Sequence, residues 1–332
     1  MRQRLRTDPL PGAAPTRRAV LRSAAALAVG AAAGAAACTR AGDVPADPLV
    51  LATGPEGAVF DVVGASIAAA LRQRWGEDAV TARRTAASLE NLQLLTAPAD
   101  GQAERADLAL VHADAAVAAL EGGAGLSAVG RLHENYLHLF VPRASPVQRL
   151  ADLAGLRVAT GAARSGTHFT ALRALELLGV PVRALDLDQQ ASVAALLGGD
   201  VDAGFNLSGL PTPAFGAPQA LAALRLVPLH DVALALQQRH PGAYRPATIP
   251  LTAYPGLGPC PTLAAPTLLL ARQDLPDAVV AAVAETVYAG EGLRRSAGAP
   301  PALAQVNARS GVQTAPVPLH PGALAWFRAS KA

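Results

Sequence analysis

Residues 49–71 read LVLATGPEGAVFDVVGASIAAAL, and this stretch decides the fold. Its first four residues are apolar and have the length of a buried strand, and residues 53–57 form a turn rich in small residues. From Val59 to Leu71 the apolar residues recur at helical spacing. A strand–loop–helix unit points the free N–H groups of the helix start out of the carboxyl end of the sheet, where open α/β sheets bind small ligands. The stretch therefore predicts one wall of a ligand site.

A second unit of the same kind lies at residues 157–179. Residues 157–160 predict a strand, residues 161–167 a loop of small residues, and residues 168–178 a helix that ends at Gly179. The glycines of both loops let a ligand approach the backbone closely. We expect the two loops to face each other and to form a cleft that accepts an anion.

Strands and helices alternate along the chain, which is typical of a parallel α/β fold. The alternation restarts midway, and this restart indicates two lobes with a crevice at their junction. We predict that residues 48–140 with 266–332 form lobe 1 and that residues 141–265 form lobe 2. The segments near residues 137–143 and 251–272 would hinge them.

Composition and charge exclude one class of partner. The chain has 332 residues, of which 51% are hydrophobic, enough for a core in each of two domains. The net charge is +3, but the first 37 residues hold six arginines and one aspartate, so residues 38–332 carry −2. A mildly acidic body without a basic patch argues against a nucleic-acid partner.

The N-terminal residues 1–37 have the pattern of a bacterial export signal. The basic residues Arg17 and Arg18, adjacent as in a twin-arginine signal, precede an almost uncharged run that ends at Ala37. The run is shorter than the roughly 20 residues that span a membrane. Ala35-Ala36-Ala37-Cys38 is similar to a lipoprotein cleavage site, which would make Cys38 a lipid-bearing N-terminus; cleavage nearby by ordinary signal peptidase is the alternative. Residues 38–47 then form a polar tether.

The sequence offers little for catalysis. Ser165 and His168 could stand as nucleophile and base, but nothing places an orienting acid beside them. The seven histidines show none of the spacings of zinc sites. Cys260 lies between two prolines, where a loop or buried thiol is expected. We therefore predict neither an enzyme nor a bound cofactor or metal.

Eight segments in register resemble one known family, the TAXI family of TRAP-associated extracytoplasmic proteins. The resemblance covers about residues 48–328. Its segments are Thr53-Gly54 with Gly57 and Phe60, Ser88-Leu89-Glu90-Asn91, Ala113-Asp114, residues 150–158, Ser165-Gly166-Thr167, Gly209-Leu210-Pro211, residues 247–250 with Tyr254-Pro255-Gly256, and residues 318–323.

The resemblance implies a periplasmic binding protein-like fold, with two α/β lobes joined by crossing strands around a ligand cleft. TAXI proteins capture organic anions such as glutamate or dicarboxylates and deliver them to a TRAP membrane permease, which an ion gradient drives instead of ATP. The alternative is a solute-binding lipoprotein of an ATP-driven (ABC) importer or a ligand-sensing receptor, either of which would keep the cleft. Each of these roles implies a periplasmic or other extracytoplasmic location for the protein.

The ligand-binding candidates combine the loop residues with strand ends that the resemblance marks. Ser165 is also expected to cap its helix, Asn91 is either a ligand contact or a capping partner, and Tyr254 covers the cleft or serves a hinge. Glu56 departs from the small residue usual in the family, and this favours an amino acid over a simple dicarboxylate. The full set is Thr53, Gly54, Glu56, Gly57, Phe60, Ser88, Asn91, His112, Ser165, Gly166, Thr167, Asn206, Ser208, Gly209 and Tyr254.

Replacing Cys38 tests the lipid anchor. Because the thiol would carry the lipid, Cys38→Ser should move the protein from the membrane fraction to the periplasmic extract, as seen by immunoblotting of fractions. Wild-type protein that is already soluble in the extract would contradict the lipidation.

Overall fold

The computed structural model describes residues 43–98, 104–289, 293 and 299–331. The predicted export signal, Cys38 and most of the tether lie outside these residues. Among the helices of the described residues, none combines the length and the apolar character needed to cross a membrane.

Lobe 1 begins with three parallel strands in the order β2-β1-β3, each followed by a helix. The apolar run, small-residue turn and helical spacing of the opening stretch yield β1 and α1 as predicted. The elements are β1 (Leu49–Ala52), α1 (Val59–Trp75), β2 (Val80–Arg83), α2 (Ser88–Thr96), β3 (Leu108–His112) and α3 (Ala113–Glu121).

Two long antiparallel strands then join the lobes. Strand β4 (Ser127–Pro142) pairs with β10 (Cys260–Ala271), and together they extend the sheet from lobe 1 into lobe 2. Strand β10 lies within the segment near residues 251–272 that was predicted to be a hinge. Its prolines Pro261 and Pro266 are paired in register with β9 and β4.

Lobe 2 repeats the alternating pattern on the far side of β4. Strands β5, β6 and β7 are parallel, whereas β7 and β8 run antiparallel to β4. Its elements are a 3₁₀ helix (Leu150–Leu153), β5 (Arg157–Ala159), α4 (Gly166–Leu177), β6 (Arg183–Leu185), α5 (Gln189–Gly198), β7 (Ala203–Ser208), α6 (Pro218–Ala223), β8 (Leu224–Leu226), α7 (His230–Arg239) and β9 (Arg245–Ile249).

After β10 the chain returns to lobe 1. It forms α8 (Asp277–Tyr288), a 3₁₀ helix (Pro301–Gln305), α9 (Ala308–Gly311) and α10 (Pro321–Ala329). These elements bury Val283 and Phe327 with Leu51 and Ile67 of β1 and α1. The continuous strand order β2-β1-β3-β10-β4-β7-β5-β6 confirms the predicted α/β fold of two lobes with crossing strands. The lobe boundaries themselves stay a prediction.

Asn91 connects the loops after β1 and β2 to strand β3. Its amide nitrogen donates to the backbone oxygens of Thr53 and Leu110, both at 2.7 Å, and its amide oxygen accepts from the Thr85 hydroxyl at 2.6 Å. The side chain is fully buried. Its polar atoms are therefore occupied within the protein, and Asn91 holds three segments of lobe 1 in place.

Removing the Asn91 amide should destabilise the fold. Asn91→Ala leaves two buried carbonyls and one hydroxyl without their partner, and each such group costs about 1–3 kcal/mol. We expect urea denaturation to show a free energy of unfolding lower by about 2 kcal/mol or more. Thr96→Ala, at an exposed position of the same helix, is the control. Equal unfolding midpoints for Asn91→Ala and the wild type would contradict this role.

Candidate functional site

A cleft with a cavity volume of about 70 Å³ lies where loops of both lobes meet above the crossing strands. The loop before α1 and the end of β3 form one wall, and the loop before α4 and the end of β7 form the other. Its lining is Pro55, Ala58, Val59, Phe60, Ala86, Ala87, His112 and Asn135 from lobe 1 and the crossing strand, with Gly161, Ala162, Ser165, Gly166, Thr167, Asp188, Gln189, Phe205, Asn206, Leu207 and Ser208 from lobe 2.

The start of α4 presents backbone donors to this cleft. The Ser165 hydroxyl accepts from the amide of His168 at 3.1 Å, so Ser165 is the predicted N-cap. Within the described residues, the amides of Gly166 and Thr167 donate to no backbone or side-chain acceptor. Two free N–H groups at the positive end of a helix dipole suit a carboxylate.

At Gly166 the backbone of α4 comes into close contact with lobe 1. A Cβ on this residue would lie 2.1 Å from His112 Nδ1 and 2.8 Å from Ser88 Oγ, so a side chain has no room. Beside it, the Leu89 amide donates to the Arg164 carbonyl at 3.1 Å. The glycine of the Ser-Gly-Thr loop therefore allows direct contact between the lobes next to the cleft.

Asp114 makes a second contact between the lobes. Its carboxylate lies at the start of α3 and accepts hydrogen bonds from the hydroxyls of Thr170 and Tyr244 in lobe 2, the latter at 2.8 Å. It also accepts from the Ala115 amide at 2.8 Å inside the first turn of α3, whose N-cap position is His112. Burial raises the pKa of Asp114. The two lobes are thus in contact at the start of α4 and again one turn further along it.

Neutral polar groups form the floor of the cleft. His112, His133 and Asn135 are buried together where β3 meets the crossing strands. Burial lowers the pKa of both histidines to about 3, against a side-chain hydrogen bond with Asn135 that acts to raise each pKa. At neutral pH both imidazoles are uncharged, so they offer hydrogen bonds without positive charge.

Charged side chains are almost absent from the lining. Asp188 is the one charged residue among the lining residues, and its carboxylate caps α5 by accepting from the Ala191 amide at 2.8 Å. Arg164, the residue before Ser165, lies outside the lining and donates to Gln93. The cleft therefore offers an anion backbone amides and a helix dipole, with no arginine or lysine.

The structure brings about half of the predicted ligand residues to the cleft. Phe60, His112, Ser165, Gly166, Thr167, Asn206 and Ser208 line it. Glu56 and Gly57 lie at a neighbouring pocket at its mouth, where Glu56 pairs with Arg84 at 2.9 Å. Neither lining includes Thr53, Gly54, Ser88, Asn91, Gly209 or Tyr254.

Tyr254 supports the cleft from behind. Its fully buried hydroxyl accepts from the Thr212 amide at 3.0 Å and lies 2.9 Å from His138 Nε2. The Thr212 hydroxyl accepts in turn from the amide of Asn206 at 2.9 Å, so a chain of hydrogen bonds connects Tyr254 to the lining. Tyr254 therefore supports the loop after β7.

Sequence reasoning missed Asn135, Asp188 and Gln189. Asn135 lies in β4 directly after His133 and Glu134, and no local pattern distinguishes it from these polar neighbours. Asp188 and Gln189 begin α5 and come close to lobe 1 only through the fold. The pair Ser165 and His168 makes no catalytic contact, since His168 Nδ1 faces Asp186 at 3.2 Å. Among the described residues, no three His, Cys, Asp or Glu side chains are placed to hold a metal ion.

Known structures share this architecture at low identity. A protein from Bordetella bronchiseptica RB50 is 16% identical over 85% of this chain and 81% of that chain, with a TM-score of 0.52, and this similarity shows the fold. The periplasmic binding protein BugD is 16% identical, covering 86% and 97%, with a TM-score of 0.49. MatC from Rhodopseudomonas palustris, solved with bound malate, is 16% identical, covering 75% and 87%, with a TM-score of 0.48.

The family comparison covers most of the sequence. The model of one family matches residues 51–329, which span both lobes, the crossing strands and every residue of the cleft lining. The chain belongs to the NMT1-like family.

Proposed function

We propose that this protein is an extracytoplasmic solute receptor that binds a small organic anion or an amino acid, such as glutamate or a dicarboxylate. The observation that carries the proposal is the start of α4, whose unpaired amides at Gly166 and Thr167 line a cleft between two lobes. A carboxylate that accepts from these amides gains about 0.3–1 kcal/mol from the helix dipole when exposed and up to about 2 kcal/mol when partly buried.

Binding would act through closure of the lobes. A solute held by α4 on one side and by Phe60 or His112 on the other makes contacts in both lobes only when they are together. Such a solute shifts the population toward the closed form, and the crossing strands β4 and β10 supply the hinge. The hydrogen bonds of Asp114 to Thr170 and Tyr244 would form as the lobes meet.

We further propose that the partner is the membrane permease of a TRAP transporter of the TAXI type. Membership of the NMT1-like family and the eight matching segments support this assignment. A lipid on Cys38 would hold the receptor at the outer face of the membrane. The role requires no catalysis, which agrees with the occupied Ser165 hydroxyl and the separate pairing of His168.

The α4 loop is tested with a proline. A thermal-shift screen of amino acids, dicarboxylates and keto acids should first identify a solute that raises Tm. Thr167→Pro removes one backbone donor at a helical position that tolerates proline, and titration calorimetry should then show an affinity at least about tenfold weaker.

Thr167→Val is the matched comparison, because it keeps the amide and removes only the hydroxyl that accepts from the Leu207 amide at 3.0 Å. It should retain more affinity than Thr167→Pro. Unchanged affinity in the proline variant, or an equal loss in both variants, would exclude the amide as the anion donor.

The energy source of uptake tests the partner. Membrane vesicles from the source cells, given the purified protein and its solute, should accumulate the solute when an ion gradient is imposed without ATP. Vesicles given ATP without a gradient are the control. Uptake that depends on ATP would replace the TRAP permease with an ABC importer, and solute binding without any uptake would favour a sensing receptor.

A further inference from the structure

Two amide side chains of the lobe 2 wall meet at one buried hydroxyl. Asn206 of β7 donates through its side-chain nitrogen to Thr212 Oγ1 at 2.9 Å, and Gln189, the first residue of α5, donates to the same oxygen. A hydroxyl oxygen can accept two hydrogen bonds. Both amides line the cleft, whereas Thr212 is fully buried and lies outside the lining. Thr212 therefore holds two cleft-lining side chains from behind.

The hydrogen bonds behind Thr212 have a fixed direction. His138 Nδ1 lies 3.1 Å from the backbone oxygen of Asn206, and because a carbonyl oxygen can only accept, Nδ1 must carry the proton. Burial lowers the pKa of His138 to about 4, so the ring is neutral at pH 7 and Nε2 is an acceptor. The Tyr254 hydroxyl therefore donates to Nε2 at 2.9 Å and accepts from the Thr212 amide at 3.0 Å.

This network ties Asn206 to the crossing strand β4 at two points. Its backbone oxygen accepts directly from His138, and its side chain is held through Thr212 and Tyr254. His138, Tyr254 and Thr212 are all fully buried, so water does not compete for these bonds. A buried polar network whose bonds are made restricts its side chains to one geometry. The lobe 2 wall of the cleft is thus fixed in place by residues that lie behind it.

We propose that Thr212 is a positioning residue for the solute site, whose hydroxyl orients Asn206 and Gln189 to hydrogen-bond the solute. The inference rests on the proposed function, since it assigns both amides to the solute that the cleft would bind. Without the hydroxyl, both amide nitrogens lose their acceptor and the two side chains can rotate, so binding has to order them. A residue outside the lining would then set part of the affinity.

Two substitutions separate the hydroxyl from the shape of the side chain. Thr212→Val keeps the shape and removes the hydroxyl, whereas Thr212→Ser keeps the hydroxyl. Titration calorimetry with L-glutamate and succinate as probes should show, for at least one probe, a Kd raised at least about tenfold in Thr212→Val and about twofold or less in Thr212→Ser. Thr314→Val is the matched control, because it removes a buried hydroxyl that donates to the Val317 carbonyl at 2.9 Å, and it should leave Kd unchanged.

A double-mutant cycle distinguishes positioning from a general loss of structure. In protein that carries Asn206→Ala, Thr212 has only Gln189 left to hold, so adding Thr212→Val should raise Kd by about threefold or less. A general defect would weaken binding by the same factor in both backgrounds. Thr212→Ala also lacks the hydroxyl, and it replaces Thr212→Val in every comparison if the valine variant does not fold.

The outcomes separate the inference from the proposed function. Wild-type affinity in Thr212→Val, an equal loss in Thr212→Ser, or an undiminished effect in the Asn206→Ala background would overturn the inference while the receptor stands. If neither probe binds the wild-type protein, the proposed function and the inference both fail.

Discussion

The pairing of β4 with β10 is the interaction on which the rest of the structure depends. β3 of lobe 1 pairs with β10, and β7 of lobe 2 pairs with β4, so these two antiparallel strands are the link through which one sheet serves both lobes. The register of the pairing between β4 and β10 shifts between Pro266 and Leu268. The strands also carry the floor of the cleft, because Asn135 lies opposite Ala265. The joint between the lobes and the floor of the site are therefore the same backbone.

A floor built from strands explains why the cleft relies on hydrogen bonds. The central part of the sheet is buried on both faces, and a charged group placed there would lose its hydration. The two imidazoles respond as expected, since burial keeps both neutral. The negative charge of a bound anion would be balanced at the edge of the cleft, by the backbone amides at the start of α4. These amides provide partial positive charge, and no charged side chain has to be desolvated. Shape and donor placement, more than net charge, would then select the solute.

Local sequence patterns were sufficient for most elements of the fold. The apolar run before α1 and the glycine-rich loop before α4 predicted two strand–loop–helix units, and both are present. β9 and the first half of β10 contain prolines, which locally favour a loop, and their pairing arises only from the tertiary fold. The residues of the candidate site divide in the same way into those that a local pattern predicts and those that only the tertiary fold brings together. Loop residues such as Ser165 belong to the first group, because a loop of small residues before a helix identifies them.

Contacts between distant segments could not be predicted in this way. Asn91 matched the motif of a ligand residue, but its partners lie on three other segments and use its whole amide. Asn135 matched no motif, yet the register of the crossing strands places it in the cleft. A sequence pattern shows that a polar side chain is present, whereas only the fold decides whether its hydrogen bonds are already made.

The same distinction applies to closure. In the proposed closure, Asp114 would exchange water for the hydroxyls of Thr170 and Tyr244, and such an exchange contributes only about 0.5–1.5 kcal/mol for each bond. These bonds alone would add little net stability to a closed form, because the buried carboxylate also loses hydration. The proposed mechanism therefore assigns the shift toward the closed form to the solute. The amides at the start of α4 have no acceptor among the described residues, and in the proposed mechanism a solute would complete their hydrogen bonds.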